Sequence, residues 1–213
     1  MIQIAHRGYS HLCKDNSMDS ILQAIHHNFD IIEIDIQLSV DNILVVYHDN
    51  FIDNYPINTL TYDEIVEIDS SIITLSDVFT IPNIHQYKIY LDIKGTDETI
   101  CNWLYQQIKY CNLENIYVGS TNILFLQKLN GYNKSIQLGF ITSNVFNSQF
   151  LETEIVPFCD FICFEISCLE QSLILRIKHK YNIQIFVYTN INVHTYNYIR
   201  NFDVDGIVTK YKL

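Results

Sequence analysis

One feature of this chain constrains its fold more than any other: short β-branched runs alternate with stretches of helical periodicity along its whole length. The candidate strands are Gln3–Ala5, Ile31–Ile36, Ile89–Ile93, Ile116–Gly119, Ile136–Phe140, Asp160–Phe164, Gln184–Tyr188 and Gly206–Val208. Between them, Met18, Ile21, Leu22 and Ile25 share one helical face behind an N-cap at Asn16 or Ser17. Ile100, Leu104 and Ile108 form a second stripe, with Asp97 and Glu98 placed in its first turn. Leu124, Leu126 and Leu129 suggest a third helix. Leu169, Leu173, Ile174 and Ile177 give a fourth, which ends in Lys178, His179 and Lys180.

Strands that alternate with helices form parallel sheets, and eight such units favour closure into a ring. The expected fold class is α/β, a (β/α)8 TIM barrel. An open dinucleotide-binding sheet is disfavoured, because no G-x-G-x-x-G turn is present. The 213 residues are few for a barrel, which typically needs about 250. The expectation is one compact domain over 1–213, and because the chain ends soon after strand eight, a barrel lacking the last outer helix. Leu44–Tyr47 reads as an extra hairpin strand after strand two.

The formal net charge of -11 argues against nucleic acid and anionic lipid surfaces as partners. An anionic ligand would need a local cationic device. The start of the chain has no signal-peptide pattern, and no apolar run reaches the roughly 18 residues of a membrane span. A cytoplasmic location without stable membrane insertion is expected, with the six cysteines as reduced thiols. Cys159, Cys163 and Cys168 lack zinc-site spacing and read as buried small apolar residues.

Polar residues collect where the strands end. His6, Arg7 and Gly8 follow strand one, Glu33 and Asp35 lie on strand two, and Asp92 and Lys94 close strand three. The C-terminal strand ends of such a barrel carry its active site. In Ile-Ile-Glu-Ile-Asp-Ile, the strand period of two puts both carboxylates on one face and isoleucines on the other. Two ionised carboxylates inside a barrel are costly without a positive partner. A single hard divalent cation, Mg2+ or Ca2+, is the simplest such partner, with Asp92 as a third ligand. The alternatives are a solvent-facing edge strand for Glu33 and Asp35, and a structural ion pair for Asp92 and Lys94. His6 and His48 together supply an acid and a base that work near neutral pH.

The order of these pieces resembles a known family. His6-Arg7-Gly8, Asp15-Asn16-Ser17, Glu33-x-Asp35 and Val45-Val46-Tyr47-His48-Asp49 are similar to the H-R-G, E-N-T, E-x-D and V-x-H-D motifs of glycerophosphodiester phosphodiesterases. Leu91-Asp92-Ile93-Lys94, Val187-Tyr188-Thr189-Asn190 and Asp205-Gly206-Ile207-Val208-Thr209 resemble its later motifs, E-x-K, W-T-V-N and D-G-I-x-T-D. The resemblance implies metal-dependent hydrolysis of a small glycerophosphodiester to sn-glycerol 3-phosphate and an alcohol. It implies His6 and His48 as the acid–base pair and Glu33, Asp35 and Asp92 as ligands of one divalent ion. Arg7 and Lys94 would hold phosphate oxygens, and Tyr188 would line the alcohol or glycerol pocket. A lyase that stops at a cyclic phosphate and an inactive phosphate-binding barrel are the rival readings. Asp92 stands where the family has Glu, Tyr188 where it has Trp, and Lys210 where it ends on Asp.

Overall fold

The computed structural model describes residues 1–188 and 193–212. In chain order its strands are β1 (Ile2–Ala5), β2 (Ile31–Leu38), β3 (Leu44–Val46), β4 (Phe51–Ile52), β5 (Tyr55–Pro56), β6 (Lys88–Ile93), β7 (Ile116–Ser120), β8 (Gln137–Thr142), β9 (Phe161–Glu165), β10 (Gln184–Tyr188) and β11 (Gly206–Thr209). The helices are α1 (Met18–His26), α2 (Tyr62–Ile68), α3 (Leu75–Phe79), α4 (Thr99–Ile108), α5 (Ile123–Tyr132), α6 (Ser148–Phe150), α7 (Gln171–Tyr181) and α8 (Val193–Ile199).

Eight strands, β1, β2 and β6 to β11, pair in parallel around a ring. The ring closes because β1 pairs with β11 on one side and β2 on the other. These are the eight expected strands, each end within two residues of its expected place. β3 lies antiparallel on β2, as the hairpin reading required. Helices occupy the crossovers, which is what parallel pairing demands of the connections. Residues 210–212, beyond β11, form no helix. Among the described residues no helix is long and apolar enough to cross a membrane.

The alternation in β2 shows how sequence becomes layer. Ile32, Ile34 and Ile36 face outward into the core shared with the helices. Ile31 points inward, onto Tyr90, Phe161 and Phe186, which pack together in the barrel's interior. Burying each such side chain stabilises the fold by roughly 1.5–3 kcal/mol. Gly139 makes room for one of these rings: a Cβ there would lie 2.0 Å from the Phe161 ring. These rings fill the barrel's interior, with centroids 5.2 Å apart for Tyr90 and Phe161 and 5.0 Å for Phe161 and Phe186. Cys159, Cys163 and Cys168 are buried free thiols, in line with the apolar reading.

Four helix details differ from expectation, the first being Leu22, which is exposed while Ile21 and Ala24 carry the buried face of α1. Glu98 caps α4 and Asp97 precedes it, its carboxylate accepting the Thr99 N–H at 2.9 Å, so neither lies in the first turn. Leu124 faces solvent, and Phe125 joins Leu126 and Leu129 in the core instead. Leu169 stands before α7, whose buried stripe is Leu173, Ile174 and Ile177. Thr189 and Asn190, part of the resemblance, lie outside the described residues.

Candidate active site

The site begins in the turn that follows β1. The His6 N–H donates to Thr209 O at 2.9 Å and the Gly8 N–H to Glu33 O at 2.9 Å, which ties the turn to both neighbouring strands. Arg7 (φ 55°) and Gly8 (φ 72°) are both left-handed. For Arg7 this costs about 1–3 kcal/mol, and such strain persists only where the surroundings impose it. Here the surroundings are close: the Ser20 hydroxyl donates to Arg7 O at 2.9 Å. A Cβ on Gly8 would lie 2.3 Å from the same Ser20 Oγ. Ser17 is the N-cap of α1, accepting from Ser20 N at 3.1 Å.

Glu33, Asp35 and Asp92 meet inside the barrel mouth. One oxygen of each lies within 4.8 Å of the other two. Glu33 and Asp35 are buried, which excludes a solvent-facing edge strand for them. Taking ions out of water costs several kcal/mol each, so this cluster needs compensation. Lys94 Nζ reaches Asp92 Oδ2 at 2.6 Å and Asp35 Oδ1 at 3.1 Å. Arg7 Nε lies 3.1 Å from Asp35 Oδ2, and Arg7 Nη1 donates to Asp15 Oδ2 at 2.9 Å. Among the described residues, Glu33 Oε2 accepts from one donor, the main-chain N–H of Arg7, at 2.7 Å.

Two cations do not balance three carboxylates. Burial pushes Glu33 well above the usual carboxylate range, and the charges of Asp35 and Asp92 add to the rise. Burial lifts Asp92 to about 6 despite Lys94. Asp35 goes the other way: burial opposes its charge, but Lys94, Arg7 and the Asn16 amide together outweigh it and hold the group below its ordinary value. Asp92 Oδ1 is buried and has no hydrogen-bond partner among the described residues. A cation among these oxygens would supply that partner and the missing positive charge. The donor set is all oxygen, which suits a hard ion. The cluster could therefore hold a metal ion.

His6 and His48 line the same cavity of about 560 Å³ as the three carboxylates, with Arg7, Lys94 and Tyr188. All eight residues expected at the site thus share one concavity. His6 is shifted down to about 4, by burial first and then by Arg7. His48 Nδ1 is paired with Asp49 Oδ1 at 2.7 Å, and Gln37 holds that loop by donating to Asp49 O. Burial, with smaller help from Cys163, pushes the Tyr188 hydroxyl up to about 12.

Four residues near this cavity had no part in the site's chemistry assigned from sequence. Asn16 bonds Asp35 directly, from a left-handed turn (φ 55°) that favours Asn. Gln37 steadies the His48 loop, and its place two residues beyond Asp35 on the same strand face was the available signal. Glu165 and Lys210 also line the cavity, at the ends of β9 and β11. Their signal was position: each sits at the C-terminal end of a barrel strand.

Comparisons with known proteins bear on the fold and the family. The glycerophosphodiester phosphodiesterase from Thermotoga maritima superposes with a TM-score of 0.82, at 24% identity over 99% of this chain and 94% of that one. An Oleispira antarctica phosphodiesterase, solved in complex with the product sn-glycerol-3-phosphate, gives a TM-score of 0.86 at 19% identity over 99% and 93%. At these identities the likeness is one of fold. Glycerophosphodiester phosphodiesterase 1 of Rattus norvegicus is 23% identical over 171 residues, 72% of this chain and 46% of the relative. The chain thus spans about half the length of that curated relative. The model of the glycerophosphoryl diester phosphodiesterase family matches residues 6–211, and the chain belongs to that family.

Proposed function

We propose that this protein hydrolyses glycerophosphodiesters to sn-glycerol 3-phosphate and an alcohol, in a single domain over 1–213, using one divalent cation and two histidines. The observation that carries this reading is the meeting of Glu33, Asp35 and Asp92 in one cavity with His6 and His48. Glu33, Asp35 and Asp92 would hold Mg2+ or Ca2+. When bound, the ion supplies positive charge against the phosphate and against the charge that grows in the transition state.

The chain's own groups do the rest. Arg7 hydrogen-bonds phosphate oxygens from the strained turn. Lys94 neutralises Asp35 and Asp92 while its ammonium still faces the cavity. His6, neutral at pH 7 with a value near 4, accepts the nucleophile's proton at a ring nitrogen. Asp49 orients His48 through Nδ1, which leaves Nε2 to give a proton to the leaving alcohol oxygen. Tyr188 forms part of the wall against which the glycerol or alcohol lies.

Purified protein assayed on glycerophosphocholine, glycerophosphoethanolamine and glycerophosphoinositol should release sn-glycerol 3-phosphate. EDTA should stop the reaction, and added Mg2+ or Ca2+ should restore it. Phosphorus NMR of the product separates hydrolysis from arrest at a cyclic phosphate. Failure to cleave any of the three diesters with either ion would end the proposal.

A further inference from the structure

The cations that line the cavity are not equivalent. Arg7 is committed to Asp15 and Asp35, and Lys94 to Asp35 and Asp92. Lys210 lines the same cavity, yet among the described residues it has no carboxylate at ion-pair distance. It is half-buried rather than free in solvent. Its backbone is also fixed. Thr209 Oγ1 donates to Tyr211 O at 3.1 Å and accepts the Tyr211 N–H at 3.0 Å, closing a turn with Lys210 at its tip. Thr209 O accepts the His6 N–H on the other side.

Lys210 also stands away from the carboxylate cluster. It follows β11, which is separated from β6, the strand before Lys94, by β1 and β2. Three strand spacings separate the two lysine backbones along the ring, so Lys210 enters the cavity from another part of its wall than Lys94. With Arg7 and Lys94 already paired to carboxylates, Lys210 is placed to meet a negative charge carried by the ligand. A complementary group lies nearby. Glu165 ends β9, and its register partner Tyr188 ends β10, so Tyr188 stands between Glu165 and Lys210 on the same wall. Glu165 uses Oε2 for the main-chain N–H and hydroxyl of Ser167, and Oε1 makes none of these bonds.

We propose that Lys210 is a specificity-determining residue that selects phosphodiesters whose alcohol carries a carboxylate, with Glu165 taking an ammonium on the same head group. The inference rests on the diesterase reading above and deepens it. An amino-acid alcohol meets both side chains at once, whereas a simple amino alcohol meets only Glu165. A charge-assisted hydrogen bond at a half-buried lysine gives a discrimination of about tenfold.

Glycerophosphoserine and glycerophosphoethanolamine differ by that one carboxylate, so their kcat/KM ratio isolates it. The wild-type ratio should be about ten in favour of the serine diester. Lys210→Met should bring it to about one, Lys210→Asp should invert it, and Lys210→Arg should keep it. Glu165→Gln should weaken both diesters and leave the ratio in place. A wild-type ratio of one, or a ratio that Lys210→Met does not move, overturns the assignment. Calorimetric affinities for the same two diesters decide the point apart from turnover. A carboxylate preference in binding that Lys210→Met removes sustains the role of Lys210 even if neither diester is cleaved, and in that case the diesterase reading alone fails. Equal affinities in wild type and Lys210→Met overturn it even if both are cleaved.

Discussion

Asn16 holds Asp35 with both atoms of its amide: Nδ2 donates to Asp35 Oδ2 at 2.8 Å, and Oδ1 accepts the Asp35 N–H at 3.1 Å. The pair is buried, so neither bond has water as a substitute. Asn16→Ala should leave a buried N–H and a carboxylate oxygen short of a partner, at about 1–3 kcal/mol in stability. It should also weaken cation binding by about 10–100-fold, the usual effect of losing a group that orients a ligand. Asn16→Asp should be worse, because it sets a like charge against Asp35. Thermal unfolding and calorimetric titration with Mg2+ or Ca2+ check both, and wild-type affinity in Asn16→Ala would show that Asp35 needs no such support.

The two imidazoles should each matter to rate more than to folding, since both are only partly buried on the rim of the cavity. His6→Ala and His48→Ala should each lower kcat by at least about 100-fold, the low end for general acid–base catalysis. Circular dichroism and melting temperature should change little. If both variants turn over like wild type, neither ring moves a proton in the reaction.

Cation affinity should depend on pH through Asp92. Burial raises this carboxyl to about 6, and its proton must leave before the oxygen can ligate. Affinity for Mg2+ or Ca2+ should therefore fall as pH drops through about 6, and Glu33, which burial also raises, should extend the dependence upward from there. Without a cation, the raised group binds its proton more tightly in the folded state. Its contribution to stability is full below the ordinary value of 3.8 and is lost as pH rises through about 6. His6, lowered to about 4 from 6.5, acts in the opposite sense and adds stability as pH rises over that interval. Titrations at several pH values, with and without Asp92→Asn, measure this. An affinity constant across that range in wild type would contradict it.

Gly8 is the position where a single methyl group should do most damage to the site's backbone. Its φ of 72° disfavours any side chain, and the added carbon would lie 2.3 Å from Ser20 Oγ. Gly8→Ala should cost about 1–3 kcal/mol or more, and should move Arg7 and His6 with the turn. Ser20→Ala in the same background relieves part of the clash but not the φ. Chemical denaturation should rank wild type first, the double variant next and Gly8→Ala last. Unchanged stability in Gly8→Ala would show that the turn adapts freely.

Much of this molecule was legible in the chain itself. The isoleucine and carboxylate alternation of β2 needed only the strand period to be read as one face under helices and one face inside. The barrel followed from counting such units. The ends of helices were harder. Leu124 is two residues from Leu126 and so lies on the opposite side of α5, and Leu169 stands before α7 begins. The pairing of Arg7 and Lys94 with the carboxylates was half visible. Sequence placed Asp92 and Lys94 on one strand face, but not that Lys94 also spans to Asp35 on the neighbouring strand, a contact fixed by register. Asn16 was seen as a helix start; its grip on Asp35 depends on a turn that only the closed ring brings into reach.

The rings of Tyr90, Phe161 and Phe186 fill the barrel's interior, and Tyr90 also lines the cavity, which makes it a pocket with an aromatic floor rather than a channel. On the proposed reaction, sn-glycerol 3-phosphate and the next substrate share that one pocket, so the product should inhibit by competing with the substrate.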